Sequence, residues 1–308
     1  MDITSGFEPE VLGSIPSEGT MNTIGVLCAL GALVSWGVGD FLIQRSARKF
    51  GDTIALFFIT AFGAFILLPF VWNEIIATVS SPNSLLILLI TSGIILFAAL
   101  FDFEALRIGK ISVIEPVYAF EVLITTTLAS IVIQEKPNLF QFILIAGLLI
   151  GIFLVSTKSF HHLRSIHLEK GVLQAILATI GMGFVNFLFG VGARETNPLM
   201  INWFTSLFLA IVMLGYILFR SKWREVIGDW EKNKELITSV SFFDNLAWIF
   251  YAYGTTYIPI AITTTISEGY IAFAAALGLV FNKEKLQFHQ YLGMVLAIGS
   301  FIVLSAIT

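Results

Sequence analysis

The chain has 308 residues, of which 57% are hydrophobic and 12% charged, and its mean hydropathy is +0.90. Soluble domains carry about 25% charged residues, so this composition excludes an ordinary soluble domain and indicates a membrane protein. The net charge is -4, and no basic cluster has the size or aromatic interleaving of a nucleic-acid surface, so nucleic acid is not an expected partner. The single cysteine, Cys28, excludes an intrachain disulfide.

Residues 1–20 are acidic and contain no Lys or Arg, so they lack the positive segment that begins a signal peptide. They are predicted to form a disordered tail. Met21 stands immediately before the first apolar run, which gives the hypothesis that translation starts there. A peptide beginning at Met1 in a mass spectrum would exclude that hypothesis.

Ten apolar runs have the length of about 20 residues that is needed to cross the hydrocarbon core of a bilayer. The runs are continuous and do not alternate with polar residues, which predicts helices and not barrel strands. The predicted spans are 22–44, 53–73, 84–106, 111–133, 138–157, 170–191, 198–219, 236–256, 258–281 and 287–307. The sequence therefore predicts an all-α, multi-pass integral membrane protein with ten transmembrane helices.

Two stretches of the sequence resemble each other. ASIVIQEKPNLFQFILIAGLLIGIFLVS begins at Ala129, ALGLVFNKEKLQFHQYLGMVLAIGSFIVLS begins at Ala276, and their Glu-Lys pairs lie 149 residues apart. Helices 1 and 6 also match loosely and set Asp40 opposite Asn186. The chain is therefore predicted to consist of two five-helix halves.

Five helices is an odd number, so two such halves in series enter the membrane from opposite sides and form inverted repeats. This architecture is typical of secondary transporters, whose binding site lies near the midplane between the halves. The predicted division is a first repeat at 21–158, a connecting loop at 159–169 and a second repeat at 170–308.

The Lys and Arg residues of the connecting loops predict the orientation. Of the 17 Lys and Arg residues in the chain, fifteen lie in the connections after helices 1, 3, 5, 7 and 9. The other connections hold only Lys136 and Arg194. Since positive loops stay in the cytoplasm, both termini are predicted to be extracytoplasmic. A location in the cell (plasma) membrane is expected.

Helix 4 carries a pattern that resembles a known family. YAFEVLITTTLASIVIQEK is similar to the pattern of the EamA family in the drug/metabolite transporter superfamily, in which Glu-Pro, an apolar stretch and Gly-Glu precede helix 5. Glu121 and Glu135 have the family spacing, with Val122 and Gln134 in place of the proline and the glycine. SWGVGDF in helix 1 resembles the family's Trp-Gly-Ser-Asn-Phe. The resemblance implies a ten-helix transporter, although familiar ten-helix members keep both termini in the cytoplasm.

Seven acids fall within the predicted spans: Asp40, Asp102, Glu104, Glu115, Glu121, Asp244 and Glu268. An uncompensated acid at a helix centre costs about 2.5–3.5 kcal/mol, so each must be protonated, paired, near an interface or facing water. Asp102 and Glu104 lie in the last turns of helix 3 and are interpreted as interfacial acids, with Glu104 in reach of Arg107.

Four residues near helix ends have a structural interpretation. Glu115 stands about one turn from a loop, and Pro116 is a helix-start residue. Glu135 and Glu284 are interpreted as solvated loop residues.

Asp40, Glu121, Asp244 and Glu268 lie several residues inside their helices with no Lys, Arg or His within one turn, which favours a functional role. Burial disfavours the ionised form of a carboxyl group, so such a group is suited to load and release a proton. Other polar and aromatic residues share their helix faces. The predicted substrate-binding or coupling residues are Trp36, Asp40, Tyr118, Glu121, Asn186, Asp244, Asn245, Trp248, Glu268 and Tyr270.

This lining suits a cation or an amphipathic zwitterion, or a neutral substrate if the acids serve protons instead. The predicted function is secondary active transport, proton-coupled or by exchange, of a small polar metabolite such as an amino acid or an organic cation. The expected partners are the small-molecule substrate, a coupling ion and the lipid bilayer, with no cofactor and no enzyme activity.

Two alternatives stay open. Gly37 to Asp40 has the Gly-x-Gly-Asp form of intramembrane aspartyl proteases, with Asp102 or Asp244 as the second acid, although Pro-Ala-Leu does not follow it. A non-transporting membrane scaffold is the other alternative. A metal site is not expected, because the only His cluster, around His161, is interpreted as part of a solvated basic loop.

Overall fold

The computed structural model describes residues 18–109, 114, 117–156, 170–270 and 287–307. These residues form eleven helices and no strand. The helices are α1 (Glu18–Phe50), α2 (Asp52–Val71), α3 (Ile75–Ser80), α4 (Pro82–Ile108), α5 (Glu121–Val132), α6 (Leu139–Ser156), α7 (Val172–Glu195), α8 (Pro198–Phe219), α9 (Trp223–Tyr257), α10 (Ile260–Ser267) and α11 (Phe288–Ile307).

Each of the ten predicted spans coincides with one of these helices over at least part of its length, and α3 is an additional short helix between the second and third spans. The prediction of an all-α protein is confirmed. Among the described helices, α1, α2, α4, α7 and α8 are long and apolar enough to cross a membrane. α1 begins at Glu18, inside the predicted disordered tail, and residues 1–17 lie outside the described part of the chain.

The fourth and ninth spans are interrupted helices, which the continuous apolar runs did not predict. Helical residues before α5 are followed by a turn at 119–120, and α10 is followed by a turn at 268–269. In each turn an amide donates to the carbonyl three residues earlier, at 3.2 Å and 3.1 Å. The two turns are 149 residues apart, the same separation as the two Glu-Lys pairs, so the interruptions are equivalent in the two repeats.

The helix packing has the symmetry that a duplicated fold requires. The first helix of the first half, α1, packs most extensively against the third helix of the second half, α9. The equivalent pair, the first helix of the second half with the third helix of the first, is α7 with α4. The remaining extensive pairs, α2 with α8 and α6 with α11, join equivalent helices of the two halves, and the smaller contact of α5 with α10 joins the fourth span to the ninth. Every one of these pairs takes one helix from each half, so the space between the halves is enclosed by both repeats.

Small residues allow α6 and α11 to approach closely. A Cβ atom on Gly151 would lie 2.5 Å from the backbone nitrogen of Ala297 and 2.7 Å from the carbonyl oxygen of Gly293, and one on Gly147 would lie 2.6 Å from Ser300 Oγ. Such small-residue contacts are a usual means of helix association in lipid, where apolar burial gives little driving force. This pair of helices therefore joins the two halves at one side of the bundle.

Two arginines at equivalent positions of the repeats make equivalent contacts. Arg48, at the end of α1, donates from Nε and Nη2 to two carbonyl groups at the end of α4, at 3.3 Å and 2.7 Å. Arg194, at the end of α7, donates from the same two atoms to two carbonyl groups at the end of α9, at 2.6 Å and 3.1 Å. Because these carbonyl groups have no helical partner, each arginine fastens the first helix of its half to the third.

Candidate functional site

A cavity of about 100 Å³ lies between the two halves. It is bordered by residues of α1, α2, α4, α7, α8 and α9, and by the interrupted fourth and ninth spans. All ten residues that the sequence predicted as site residues border this cavity: Trp36, Asp40, Tyr118, Glu121, Asn186, Asp244, Asn245, Trp248, Glu268 and Tyr270. The structure therefore brings the whole predicted set together at one place.

The cavity also contains residues that the sequence interpretation missed. Asp102, interpreted from the sequence as an interfacial acid, lines the cavity, whereas Glu104 pairs with Arg107 as expected. Asp102 shares a helix face with Ile95 and Ala99, which line the same wall, and this spacing is the signal that could have identified it. Further polar lining residues are Thr60, Asn202, Thr205 and Ser206.

Glu121 is a buried acid of the site with a hydrogen-bond partner from the other half. Its side chain is only 7% exposed, and its Oε2 atom accepts a hydrogen bond of 3.1 Å from Asn186 Nδ2. The Asn186 carbonyl in turn accepts a hydrogen bond of 2.9 Å from the hydroxyl of Tyr251. Since the first half supplies Glu121 and the second half supplies Asn186 and Tyr251, this network connects the repeats through buried polar contacts.

Glu268 approaches the same region from the second half. It follows α10 directly, it is 4% exposed, and its amide donates to the carbonyl of Thr264 at 2.9 Å. The hydroxyl groups of Thr264 and Thr265 bond back to carbonyl groups of their own helix, at 2.8 Å and 2.6 Å. Thr264 also lies 2.8 Å from the Tyr251 hydroxyl, so it joins the network that reaches Glu121.

Five carboxyl groups share the cavity. Glu121 is within electrostatic range of Glu268, Asp102 and Asp40, and Asp244 is within range of Asp102. The Tyr118 hydroxyl donates a hydrogen bond of 3.4 Å to the main-chain carbonyl of Asp102. The described lining residues include no Lys, Arg or His. No basic side chain among them therefore offsets the negative charge of the ionised acids.

Aromatic rings form one wall of the cavity. The Trp36 and Trp248 rings meet edge to face with centroids 5.2 Å apart, and Phe189 lies 4.7 Å from Trp248. Tyr251 packs against both tryptophans, at 5.5 Å and 6.0 Å. These contacts fix the ring orientations, so the aromatic wall is rigid beside the acids.

Asn245 is held in place by two helices. Its Nδ2 atom donates to the carbonyl groups of Ile59 at 3.0 Å and Ser241 at 2.8 Å. Its side-chain oxygen lies where a Cβ atom on Gly63 would be, and the same Cβ would lie 2.8 Å from Ser206 Oγ. α2 therefore needs a glycine at position 63 for Asn245 to reach the cavity wall.

Glu135 is not merely a solvated loop residue, as the sequence suggested. Its carboxylate forms an ion pair with Arg194 and accepts a hydrogen bond of 2.8 Å from the amide of Ile260. This cluster, here called the Glu135–Arg194 latch, joins the connection between α5 and α6 of the first half to the ends of α7 and α9 in the second half, which Arg194 also links. It lies at the end of the bundle where the connections after helices 4, 6 and 8 meet.

Several residues with a predicted interpretation lie outside the described part of the chain. These are Glu115, Pro116, His161, His162, His167 and Glu284.

The fold and the cavity define an integral membrane protein with a polar, acidic site enclosed between two repeats. The chain matches the EamA-like transporter family twice, over residues 23–157 and 169–306. It belongs to that family, so it is a ten-helix membrane transporter of small molecules built from two inverted five-helix repeats, and the resemblance seen in the sequence is confirmed.

Comparison with solved structures gives 26 matching chains. One crystal structure aligns over 92% of this chain and 98% of its own chain, with a TM-score of 0.65 and 13% sequence identity. At that identity the likeness supports the fold alone. A comparison with curated proteins found no match.

Proposed function

We propose that this protein is a secondary active transporter of a small organic cation, or of a zwitterion such as an amino acid that presents its ammonium group to the cavity. The observation that carries the proposal is the composition of the cavity: five carboxyl groups, a rigid aromatic wall, and no basic side chain among the described lining residues. Ionised acids that are close together repel one another, so a bound cation relieves an unfavourable interaction as well as forming new contacts.

Binding divides between two kinds of contact in this proposal. Glu121 and Glu268, one from each repeat, supply the opposite charge, while Trp36, Trp248 and Tyr270 offer ring faces and edges to the alkyl or aryl part of the substrate. Asn186 keeps the Glu121 carboxylate oriented through its hydrogen bond. Because the acids come from both halves, movement of the halves changes the distance between the two charges, and this couples binding to conformation.

The acids that do not contact the substrate are the proposed coupling groups. Asp40, Asp102 and Asp244 line the same cavity, and the described lining residues include no Lys, Arg or His. A group of this kind can exchange a proton for the substrate, because neutralising one acid lowers the affinity of its neighbours for a cation. We therefore favour proton exchange, with exchange of two substrate molecules as the alternative.

The Glu135–Arg194 latch is the proposed closure at one end of the bundle. It connects the first half to the second only through a pair of side chains and one amide, so it can separate without disturbing the helices. We propose that it is formed in the conformation described here, and that it opens when the cavity becomes accessible from that end. The two hydrogen bonds that Arg194 makes within its own half, to the carbonyl groups of Thr255 and Ile258, persist in both states.

The same acids permit an enzyme interpretation, because Asp40, Asp102 and Asp244 border one cavity as an aspartyl protease pair would. Family membership and the additional acids Glu121 and Glu268 favour transport. For orientation, the Lys and Arg residues of the loops support a protein with both termini outside the cytoplasm, and the proposed location is the plasma membrane. The proposed limits of the repeats remain 21–158 and 170–308.

Uptake into proteoliposomes tests the proposal. The compounds tested are a primary amine, a quaternary amine, an amino acid, a sugar and an organic acid. For each one, vesicles preloaded with the unlabelled compound are diluted into a solution of the same compound in labelled form, and the label taken up by the vesicles is measured. The expected result is uptake of the ammonium-bearing compounds with release of protons, lost in Glu121→Gln. Uptake of sugars or organic acids that does not depend on Glu121 would overturn the proposal.

A further inference from the structure

Tyr251 is a fully buried tyrosine of α9 that lies behind the cavity and does not line it. Its ring packs against Trp36 and Trp248, which a phenylalanine ring could also do. Its hydroxyl group therefore needs a separate explanation, because a hydroxyl group in an apolar interior costs free energy unless it has hydrogen-bond partners. These partners come from two other helices.

The Tyr251 hydroxyl joins α7 to α10. It donates a hydrogen bond of 2.9 Å to the main-chain carbonyl of Asn186, and it lies 2.8 Å from the hydroxyl oxygen of Thr264. A hydroxyl group donates one hydrogen and can accept another, so it can donate to Asn186 and accept from Thr264 at the same time. Three helices of the second half therefore meet at one oxygen atom.

Both neighbours of this oxygen atom are connected to an acid of the cavity. The side chain of Asn186 donates from Nδ2 to Glu121 Oε2 at 3.1 Å. Thr264 stands one turn before Glu268, and its carbonyl accepts the hydrogen bond of 2.9 Å from the Glu268 amide. Glu121 and Glu268 come from different halves, yet both are connected to the same hydroxyl group.

The helix α10 is short enough for these contacts to determine where Glu268 lies. Its eight residues are all buried, and they span about 12 Å. The amide of Ile260 at its beginning donates to Glu135, and Thr264 near its middle contacts Tyr251. Glu268 follows directly at its end. Without the hydroxyl group of Tyr251, the part of α10 that leads to Glu268 loses this contact with α9.

We propose that Tyr251 is a positioning residue of the transport site, whose hydroxyl group sets the distance between the Glu121 and Glu268 carboxyl groups so that one bound ammonium group contacts both. This inference rests on the proposed function, because it concerns the same cation. Two carboxylates that are held in place before binding lose little freedom when the cation arrives, which increases affinity. Tyr251 thus affects the affinity for a substrate that it does not touch.

Tyr251→Phe tests this role, because it removes the hydroxyl group and keeps the ring. The Thr264 hydroxyl still donates to the Ile260 carbonyl at 2.8 Å, so this buried donor keeps a partner and the variant is expected to fold. Binding of n-butylamine to the purified full-length protein is measured by isothermal titration calorimetry. We expect the dissociation constant to rise about fivefold, the effect of one buried hydrogen bond. The matched control is Tyr253→Phe, which removes a hydroxyl group of the same helix away from the cavity lining and should leave the constant unchanged.

Combined substitutions separate positioning from a general loss of stability. If Tyr251 acts by placing Glu268, Tyr251→Phe should have no further effect once Glu268→Gln has removed that charge. Thr264→Val removes the other hydroxyl group of the pair with little change of shape. It should raise the dissociation constant as much as Tyr251→Phe does, and the combination of the two should raise it no further. Thr264→Ser keeps the hydroxyl group and should bind as tightly as the unaltered protein.

The titrations distinguish failure of this inference from failure of the proposed function. Absence of amine binding by the unaltered protein would overturn both. Binding that is equally tight in the unaltered protein and in Tyr251→Phe would overturn the positioning role alone. The same is true of a fivefold loss that Tyr251→Phe still causes in the Glu268→Gln background, or that Tyr253→Phe causes as well.

Discussion

Substitution of Glu121 distinguishes a role in substrate binding from a role in stability. In Glu121→Gln the amide oxygen still accepts the hydrogen bond from Asn186, so the buried network persists, but the charge that attracts a cation is lost. We expect the apparent affinity for a transported amine to fall about tenfold or more, since hydrogen bonds to charged groups contribute about 1.5–3 kcal/mol. The measurement is the concentration dependence of amine uptake in proteoliposomes, together with the thermal unfolding midpoint.

Glu104→Gln is the control for this experiment. Its carboxylate pairs with Arg107 on the same helix and does not line the cavity. Uptake should be nearly unchanged. Equal losses in the two variants would mean that any acid removed from the bundle impairs the protein, and the assignment of Glu121 would be wrong.

Gly63 determines the position of Asn245 at the cavity wall. In Gly63→Ala the new methyl group would overlap the Asn245 side-chain oxygen and crowd Ser206, so Asn245 must leave its two carbonyl partners. Overpacking of this kind destabilises a protein by about 1–3 kcal/mol. We expect a lower thermal midpoint and weaker substrate binding in detergent solution. Gly93→Ala, at a glycine of α4 with open space around it, should change neither quantity.

The sequence identified residues whose chemistry is unusual for their surroundings. The acids that it identified are Asp40, Glu121, Asp244 and Glu268. An acid inside an apolar span costs free energy, so its presence there indicates a functional role. Phe189 and Thr205 line the same cavity, but phenylalanine and threonine are ordinary in membrane helices, and only the packing of helices shows which of them face inwards. The sequence could not indicate the partnership of Glu135 with Arg194 either, since 59 residues separate them.

At the scale of elements, the Glu135–Arg194 latch predicts which end of the bundle is closed. In Arg194→Gln the ion pair is lost, and the closed arrangement loses about 1 kcal/mol, the upper value for a partly exposed pair. Ser206→Cys combined with Cys28→Ser gives a protein whose single cysteine lines the cavity. The rate at which this cysteine is labelled measures how accessible the cavity is. We expect labelling by a membrane-impermeant maleimide from the latch end to increase about fivefold.

Arg45→Gln is the matched control for the latch, because Arg45 is an exposed arginine at the opposite end of the bundle. It should leave the labelling unchanged. If Arg194→Gln also leaves the labelling unchanged, the latch does not control access. If labelling increases from both ends, the arginine maintains the fold and not one closed state.

Helix positions were predictable from length and hydropathy, but interruptions were not. The predicted span 198–219 coincides with α8, because its ends are marked by Asn197, Pro198 and the charged residues after Phe219. The turn at 119–120 occurs within apolar sequence, where no change of composition marks it, and the turn at 268–269 falls on Glu268 and Gly269, which lie inside a run long enough to be a continuous span. Since lipid allows backbone irregularity only where it is buried in protein or faces a cavity, these turns are part of the site and depend on tertiary structure.

At the scale of the whole molecule, the unequal distribution of Lys and Arg predicts the orientation. With fifteen of these residues on one side, we expect alkaline phosphatase fused after Thr308 to be active and green fluorescent protein at the same position to be dark. The physical reason is that positive loops are retained in the cytoplasm. Bright fluorescence and inactive phosphatase would contradict the prediction and would give this chain the usual orientation of its family.

The duplication was visible in the sequence only at a few residues. The Glu-Lys pairs and the loose match of helices 1 and 6 predicted two halves, and that match places Arg48 opposite Arg194. The equivalent hydrogen bonds of these two arginines and the crossed packing of α1 with α9 and α4 with α7 required the structure. Apolar residues exchange freely in lipid-facing helices, so sequence similarity fades while packing symmetry persists.

The central claim is that the cavity between the repeats selects positive charge. The most direct measurement compares n-butylamine, n-butanol and butyrate, which have similar sizes, by their effect on the thermal unfolding of the purified protein and of Glu121→Gln. Only the amine should raise the unfolding midpoint of the unaltered protein by mass action, and Glu121→Gln should abolish the increase. An equal increase with butanol or butyrate, or an increase with the amine that persists in Glu121→Gln, would contradict the account.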